Sequence, residues 1–192
     1  NNAQNRQKDA ETIVSLLAEG RLLYSRDKLK LGGYQYCSQA VSLAEKGEFR
    51  GSIDAASKAL ILGLDRRDDN LVAAAKRDLA IAYSYAGDLE HAEDYARQAL
   101  QHKYNKASVV AAPAYKVLGD VAARRKQWAQ AIANYESALA IASPKLAPLV
   151  SLSLINAYTE AGVPEEARRL FDQFPVQTSG ALVSSYQRTQ GN

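Results

Sequence analysis

The chain is poor in the residues that most often carry chemistry. Among its 192 residues there is one cysteine, two histidines and no methionine. One thiol, Cys37, forms no internal disulfide, so the fold does not rest on oxidation. The histidines, His91 and His102, fall on one expected helix about 16 Å apart, too far to share a metal without a third element. They read as exposed helix residues, and Cys37 as a buried or groove-lining thiol with no partner base at a fixed offset. No apolar run approaches the roughly 18 residues that cross a bilayer. No phosphate loop is present, because Leu31-Gly32-Gly33 lacks the following Gly-Lys-Ser/Thr. A Gly-x-Ser-x-Gly nucleophile elbow is also missing. Adjacent acids such as Asp68-Asp69 and Glu165-Glu166 read as loop and helix-start charges rather than an acid–base pair. The expectation is therefore a non-enzyme without cofactor or metal.

Charge of one sign is lacking too. Lys and Arg number 24, Asp and Glu 21, for a net charge of +3. The two short basic runs, Arg66-Arg67 and Arg124-Arg125-Lys126, read as solvated helix ends, and Asp68-Asp69 offsets the first. No signal-peptide pattern opens the chain. A start at Asn1 with no Met is expected of a processed product or a piece of a longer protein, so cytoplasm and periplasm both stay open.

What the chain does have is helix-forming apolar content and a repeat. Hydrophobic residues make up 47%, mostly Ala and Leu, the residues that favour helix most. A chain of this length can bury roughly 70% of its unfolded surface, enough for a core without staples. Internal self-similarity is sought first. Three segments superpose without gaps: Gln39 to Leu60, Leu79 to Leu100 and Leu118 to Leu139. The second carries Leu79, Ala80, Tyr83, Gly87, Leu89, Ala92, Ala96, Ala99 and Leu100. The third carries Leu118, Gly119, Ala122, Lys126, Trp128, Ala131, Tyr135, Ala138 and Leu139. The first is clearest in its second half, at Gly47, Phe49, Ser52, Ala56, Ala59 and Leu60. A fourth copy runs through Leu154, Ile155, Tyr158, Gly162, Pro164, Ala167, Phe171 and Phe174. The turn positions 47, 87, 126 and 162 recur at 40, 39 and 36 residues. Regular recurrence at this distance means stacked supersecondary units.

Within each unit the apolar residues step by three and four, the helical period. Gly87 suits the left-handed end of one helix and Asp88 the cap of the next. Gly162 and Pro164-Glu165-Glu166 repeat that punctuation. Helices are expected near 34–46, 50–63, 70–86, 89–102, 108–125, 128–142, 146–161 and 164–174. Ala92, Ala99, Ala131 and Ala138 let paired helices approach; Tyr83, Trp128 and Tyr135 fill the space between units.

The pattern resembles the tetratricopeptide repeat family over about residues 33 to 175. Tyr115, Leu118-Gly119, Trp128, Ala131, Tyr135 and Ala138 fit its anchors, as do Tyr83, Gly87, Ala92 and Ala99. Two departures stand out: spacing longer than the family's 34 residues, and Gln39-Ala40 where Leu-Gly is usual. The resemblance implies an all-α, right-handed α-solenoid of about four helix hairpins, at 33–69, 70–107, 108–145 and 146–175. An N-terminal helix, about 7–30 within residues 1–32, is expected to cap the stack. Residues 176–192 are expected to be a polar tail or short helix.

The implied function is a protein–protein interaction module, part of a larger bacterial assembly, taking a peptide or partner protein in a concave groove lined by the first helices. By register the groove holds Tyr34, Cys37 and Val41, then Arg77, Ile81 and Tyr85. Lys116, Asp120 and Arg124 follow, then Leu152, Asn156 and Thr159. The strongest candidates are Arg77, Ile81, Tyr85, Lys116, Asp120, Arg124 and Asn156. That mixture suits an extended or helical peptide with some acidic character. The carboxylate clamp by which some members grip a chaperone tail is not present. Its positions hold Cys37, Val41, Asp78, Pro113 and Val117. A peptide- or signal-sensing regulatory domain is an alternative. RNA reading by a related helical repeat is disfavoured by the spacing and the mild charge, so no nucleic acid is expected as partner. No direct membrane insertion is expected, and self-association through the terminal helices is left open.

Overall fold

A computed structural model describes residues 32–101 and 107–173. The expected N-terminal helix, His102, Phe174 and the C-terminal tail lie outside the described residues. All regular structure among the described residues is helical. We number the helices α1 (Gly33–Glu45), α2 (Phe49–Arg66), α3 (Asp69–Ala86), α4 (Leu89–Leu100), α5 (Ala112–Arg124), α6 (Trp128–Ala140), α7 (Ala147–Glu160) and α8 (Pro164–Gln173). A π-helical turn, Ala107–Ala111, leads into α5. Most bounds fall within three residues of those expected. The exception is the start of α5, expected at 108, where the wider turn runs to Ala111 and Pro113 then sits in the first turn of the α-helix. Pro is tolerated there because that N–H has no intrahelical acceptor.

One turn geometry is used five times. Gly47, Gly87 and Gly162 have φ of 78°, 85° and 76°, in the left-handed region. Lys126 and Arg67 enter it at 59° and 54° despite their side chains. At each, the residue after the turn donates its N–H to a carbonyl five residues back. Glu48 donates to Leu43 at 2.9 Å, Asp88 to Tyr83 at 3.0 Å, Gln127 to Ala122 at 2.9 Å, Val163 to Tyr158 at 2.9 Å, and Asp68 to Gly63 at 2.9 Å. Each turn residue donates three back, as Gly87 does to Ser84 at 3.2 Å. These paired bonds satisfy carbonyls that a helix end leaves open. Asp68 and Asp88 then cap the following helices, accepting from the N–H of Leu71 at 3.0 Å and of His91 at 3.2 Å.

Each helix packs against the next along the chain. In addition α1 touches α3, α3 touches α5 and α5 touches α7, the last pair more sparsely. Small residues set the close approaches. Ala56, Ala59, Ala92, Ala96, Ala99, Ala131 and Ala138 have no exposed surface. A Cβ added to Gly63 would stand 2.9 Å from the backbone nitrogen of Val72, so α2 and α3 meet backbone to backbone there. A Cβ on Gly119 would collide with the ring of Tyr135 on α6.

The buried apolar residues form two clusters. The larger runs from α1 to α5 through Leu60, Leu71, Leu79, Tyr83, Tyr95, Val117 and Val121. The smaller spans α5 to α8 through Ala122, Ala131, Tyr135, Ala138, Val150, Leu154 and Ala157. Tyr83 stacks on Tyr95 with ring centres 5.7 Å apart and on His91 at 4.9 Å, tying α3 to α4. Trp128, expected to fill the space between units, is half-buried at the start of α6. None of the described helices is long and apolar enough to cross a membrane.

Candidate protein-binding face

The seven strongest candidates sit on α3, α5 and α7, the first helices of their pairs. Tyr85 is 52% exposed near the end of α3, its ring 6.0 Å from that of Phe49 on α2. Ile81, one turn earlier, is half-buried and packs against the larger cluster. Asn156 is exposed on α7. Of the neighbouring positions, Tyr34 and Val41 are exposed on α1, Leu152 is half-buried, and the Thr159 hydroxyl donates to Ile155 on its own helix at 3.0 Å.

The charged candidates are all engaged inside the molecule. Arg77 donates through Nε to Asp78 Oδ1 at 2.9 Å, with Nη2 2.7 Å from the same oxygen. Its Nη1 donates to the Val109 carbonyl at 2.9 Å, so it bridges α3 to the π-helical turn before α5. Lys116 pairs with Asp120 at 2.8 Å one turn along α5. Asp120 also accepts from the Tyr135 hydroxyl at 2.9 Å, which binds α5 to α6. Burial, then the Asp120 charge, pushes the Tyr135 phenol well above its ordinary range, so it stays a donor. Arg124 donates to the Ser84 carbonyl at 2.6 Å, linking the ends of α5 and α3.

Cys37 does not line an open groove. It is 5% exposed and lies against Asp78, a carboxylate 2% exposed. Position 37 shares the helical register of the exposed Tyr34 and Val41, but α3 covers it. Burial, then the neighbouring Asp78 charge, pushes the thiol up to about 12. Burial likewise raises Asp78, with Arg77 and a hydrogen bond from the Cys37 thiol opposing it. A thiol in that setting is a poor nucleophile. His91 is exposed on α4, its Nδ1 2.8 Å from Asp88 Oδ2. Among the described residues no three His, Cys, Asp or Glu side chains gather as a metal site.

Three features escaped the register argument. Val109 and Leu149 are exposed apolar side chains beside the candidate face, at 50% and 56%. Val109 belongs to a turn whose wider winding the three-and-four step does not describe. Leu149 lies on α7, apolar on nearly every side, where no stripe marks an outer face. The third is a cleft of about 340 Å³ between α6, α7 and α8, walled by Leu139, Leu154 and Leu170 and rimmed by Tyr158, Glu136 and Arg169. Comparison with family models and with curated proteins finds no match to this chain.

Proposed function

We propose that the helices form a right-handed solenoid of tetratricopeptide-like hairpins, and that the face made by α1, α3, α5 and α7 receives a segment of a partner protein. One observation carries this reading. The same left-handed turn, with the same pair of backbone hydrogen bonds, closes each hairpin at positions 47, 87, 126 and 162. A fifth such turn, at Arg67, joins the first hairpin to the second, and the contacts between hairpins are those a stack with one inner surface would make. The run of contacts from α1 to α3 to α5 to α7 is the surface such a stack needs. With catalytic motifs missing from the sequence, the surface and not a cleft is the functional part, and the protein is an interaction scaffold rather than an enzyme.

Site-specific photo-crosslinking in the native host tests this. A crosslinking side chain at Tyr85 or Asn156 should trap a partner protein. The same group at Arg97 or Arg168, exposed on α4 and α8, should not. Adducts from the α4 and α8 sites alone would place the partner on the opposite side and end this reading.

A further inference from the structure

The partner's chemistry follows from how the face spends its charges. Among the described residues six large hydrophobic side chains are exposed: Tyr34, Val41, Tyr85, Val109, Leu149 and Val163. The first five lie on α1, α3, α7 or the turn leading into α5. Only Val163 lies elsewhere, in the turn before α8. Meanwhile Arg77 and Lys116 are each neutralised by a carboxylate on the same helix. Among the described residues Arg124 has no acidic partner, unlike the other cations of the candidate set, and it already donates to a backbone carbonyl.

An acidic ligand would have to draw Arg77 away from Asp78. That would leave a carboxylate 2% exposed with only the weakly donating Cys37 thiol beside it among the described residues. Recruiting Lys116 would likewise uncover Asp120, which also holds the Tyr135 hydroxyl. A nearly neutral, apolar-studded face is complementary to an uncharged apolar ligand face. An extended segment laid there would need acceptors and donors for its backbone. Among the described residues no strand offers an edge to supply them. A helix satisfies its own backbone and brings apolar side chains at three- and four-residue steps.

Resting on the docking face proposed above, we infer that the partner docks there as an amphipathic helix led by large aliphatic and aromatic side chains, with charge attraction secondary. This replaces the acidic peptide that the residue types alone suggested.

The test selects from a random 16-residue peptide library displayed on phage, using the immobilised protein. Selected peptides are then measured by fluorescence anisotropy. Expected are sequences with Leu, Phe or Trp at i and i+3 or i+4 and no net acidity. Their affinity should change less than about twofold between low and high salt. It should fall about tenfold in a Tyr34→Ser plus Tyr85→Ser variant whose circular dichroism matches the parent. Both tyrosines are exposed, so the variant is expected to fold. Acid-rich peptides released by salt and lost in Arg124→Glu would overturn the chemistry while leaving the docking face standing. Peptides held equally by the double tyrosine variant would overturn the face itself, as would an empty selection. A dimer in sedimentation that the same variant turns into monomer would show a second copy covering the face, and would overturn the helical partner.

Discussion

The two apolar clusters solve the same packing problem with different margins. From α1 to α5 the core holds Tyr83 and Tyr95 stacked and fully buried, with Leu60, Leu71 and Leu79 beside them. Buried Ser52 adds a cross-helix bond, donating to the Ala40 carbonyl at 2.8 Å. From α5 to α8 the cluster is smaller, α8 buries only Ala167 among the described residues, and an open cleft lies between α6, α7 and α8. α5 touches α7 only sparsely, whereas α1–α3 and α3–α5 are fuller. A helix pair draws stability from its own packing and from the helices it touches. The last pair should therefore open at lower cost than the first two, as local unfolding units do.

The largest effects should separate the two regions. Tyr83→Ala removes a fully buried ring from the larger cluster and should cost about 3–5 kcal/mol, lowering the melting temperature of the whole domain. Leu154→Ala extends the existing cleft and should cost about 2–4 kcal/mol. Its loss should be local: amides of α7 and α8 lose hydrogen-exchange protection while those of α3 and α4 keep theirs. Equal loss in both regions would mean the fold opens as one unit and would dissolve the comparison.

Glycine substitutions sharpen it. Gly63→Ala pushes a methyl against the backbone of Val72, which cannot swing aside, and should cost roughly 2–3 kcal/mol by denaturant titration. Gly119→Ala would drive a methyl into the buried Tyr135 ring, which its bond to Asp120 also holds, and should cost as much, roughly 2–3 kcal/mol. If the second substitution proved the more damaging, the weaker region would be the better packed one.

Strengthening the weaker region is the complementary test. Lys126 holds a left-handed turn that Gly adopts without strain. Lys126→Gly should stabilise by roughly 0.5–1 kcal/mol, read as slower exchange in α5 and α6. An unchanged or lower stability would show that the turn is not under strain.

The smallest effect concerns the junction. Glu93 on α4 accepts from Arg97 at 2.7 Å and from Arg125 at 2.5 Å, beyond the end of α5. Those bonds, Arg97 first, hold its carboxyl below the usual range. A depressed folded value contributes stability above the unfolded pKa and loses it as pH falls through the folded one. Glu93→Gln should therefore lower the melting point slightly at neutral pH. The gap to the parent should close as pH drops below the carboxylate range. The pair is partly solvated, so the effect should stay under about 1 kcal/mol. A gap that persists in acid would refute the ionic origin.

Much of the fold could be read in advance because its signals are local. Apolar residues every three or four positions placed eight helices, and Gly87, Gly162 and Pro164 marked their ends. The left-handed turn at Arg67 was not legible because its side chain carries no such signal; it lies beside the close approach of α2 and α3 at Gly63. The candidate face was legible in part. Tyr85 and Asn156 point outward where helical register puts them, but Cys37 does not, because α3 covers it.

By itself the amino-acid order determined which segments wind into helices and where each stops, since period, capping and turn preference act within a few residues. Tertiary structure alone decided which cations tie helices together: Arg77 reaches the Val109 carbonyl and Arg124 the Ser84 carbonyl, whereas Lys116–Asp120 is a pair within one helix. Arg77, Lys116 and Arg124 look like ligand-seeking cations along the chain. Folding supplies each with an acceptor, because in a low-dielectric contact a polar group left unpaired costs more than a bond to a neighbour returns.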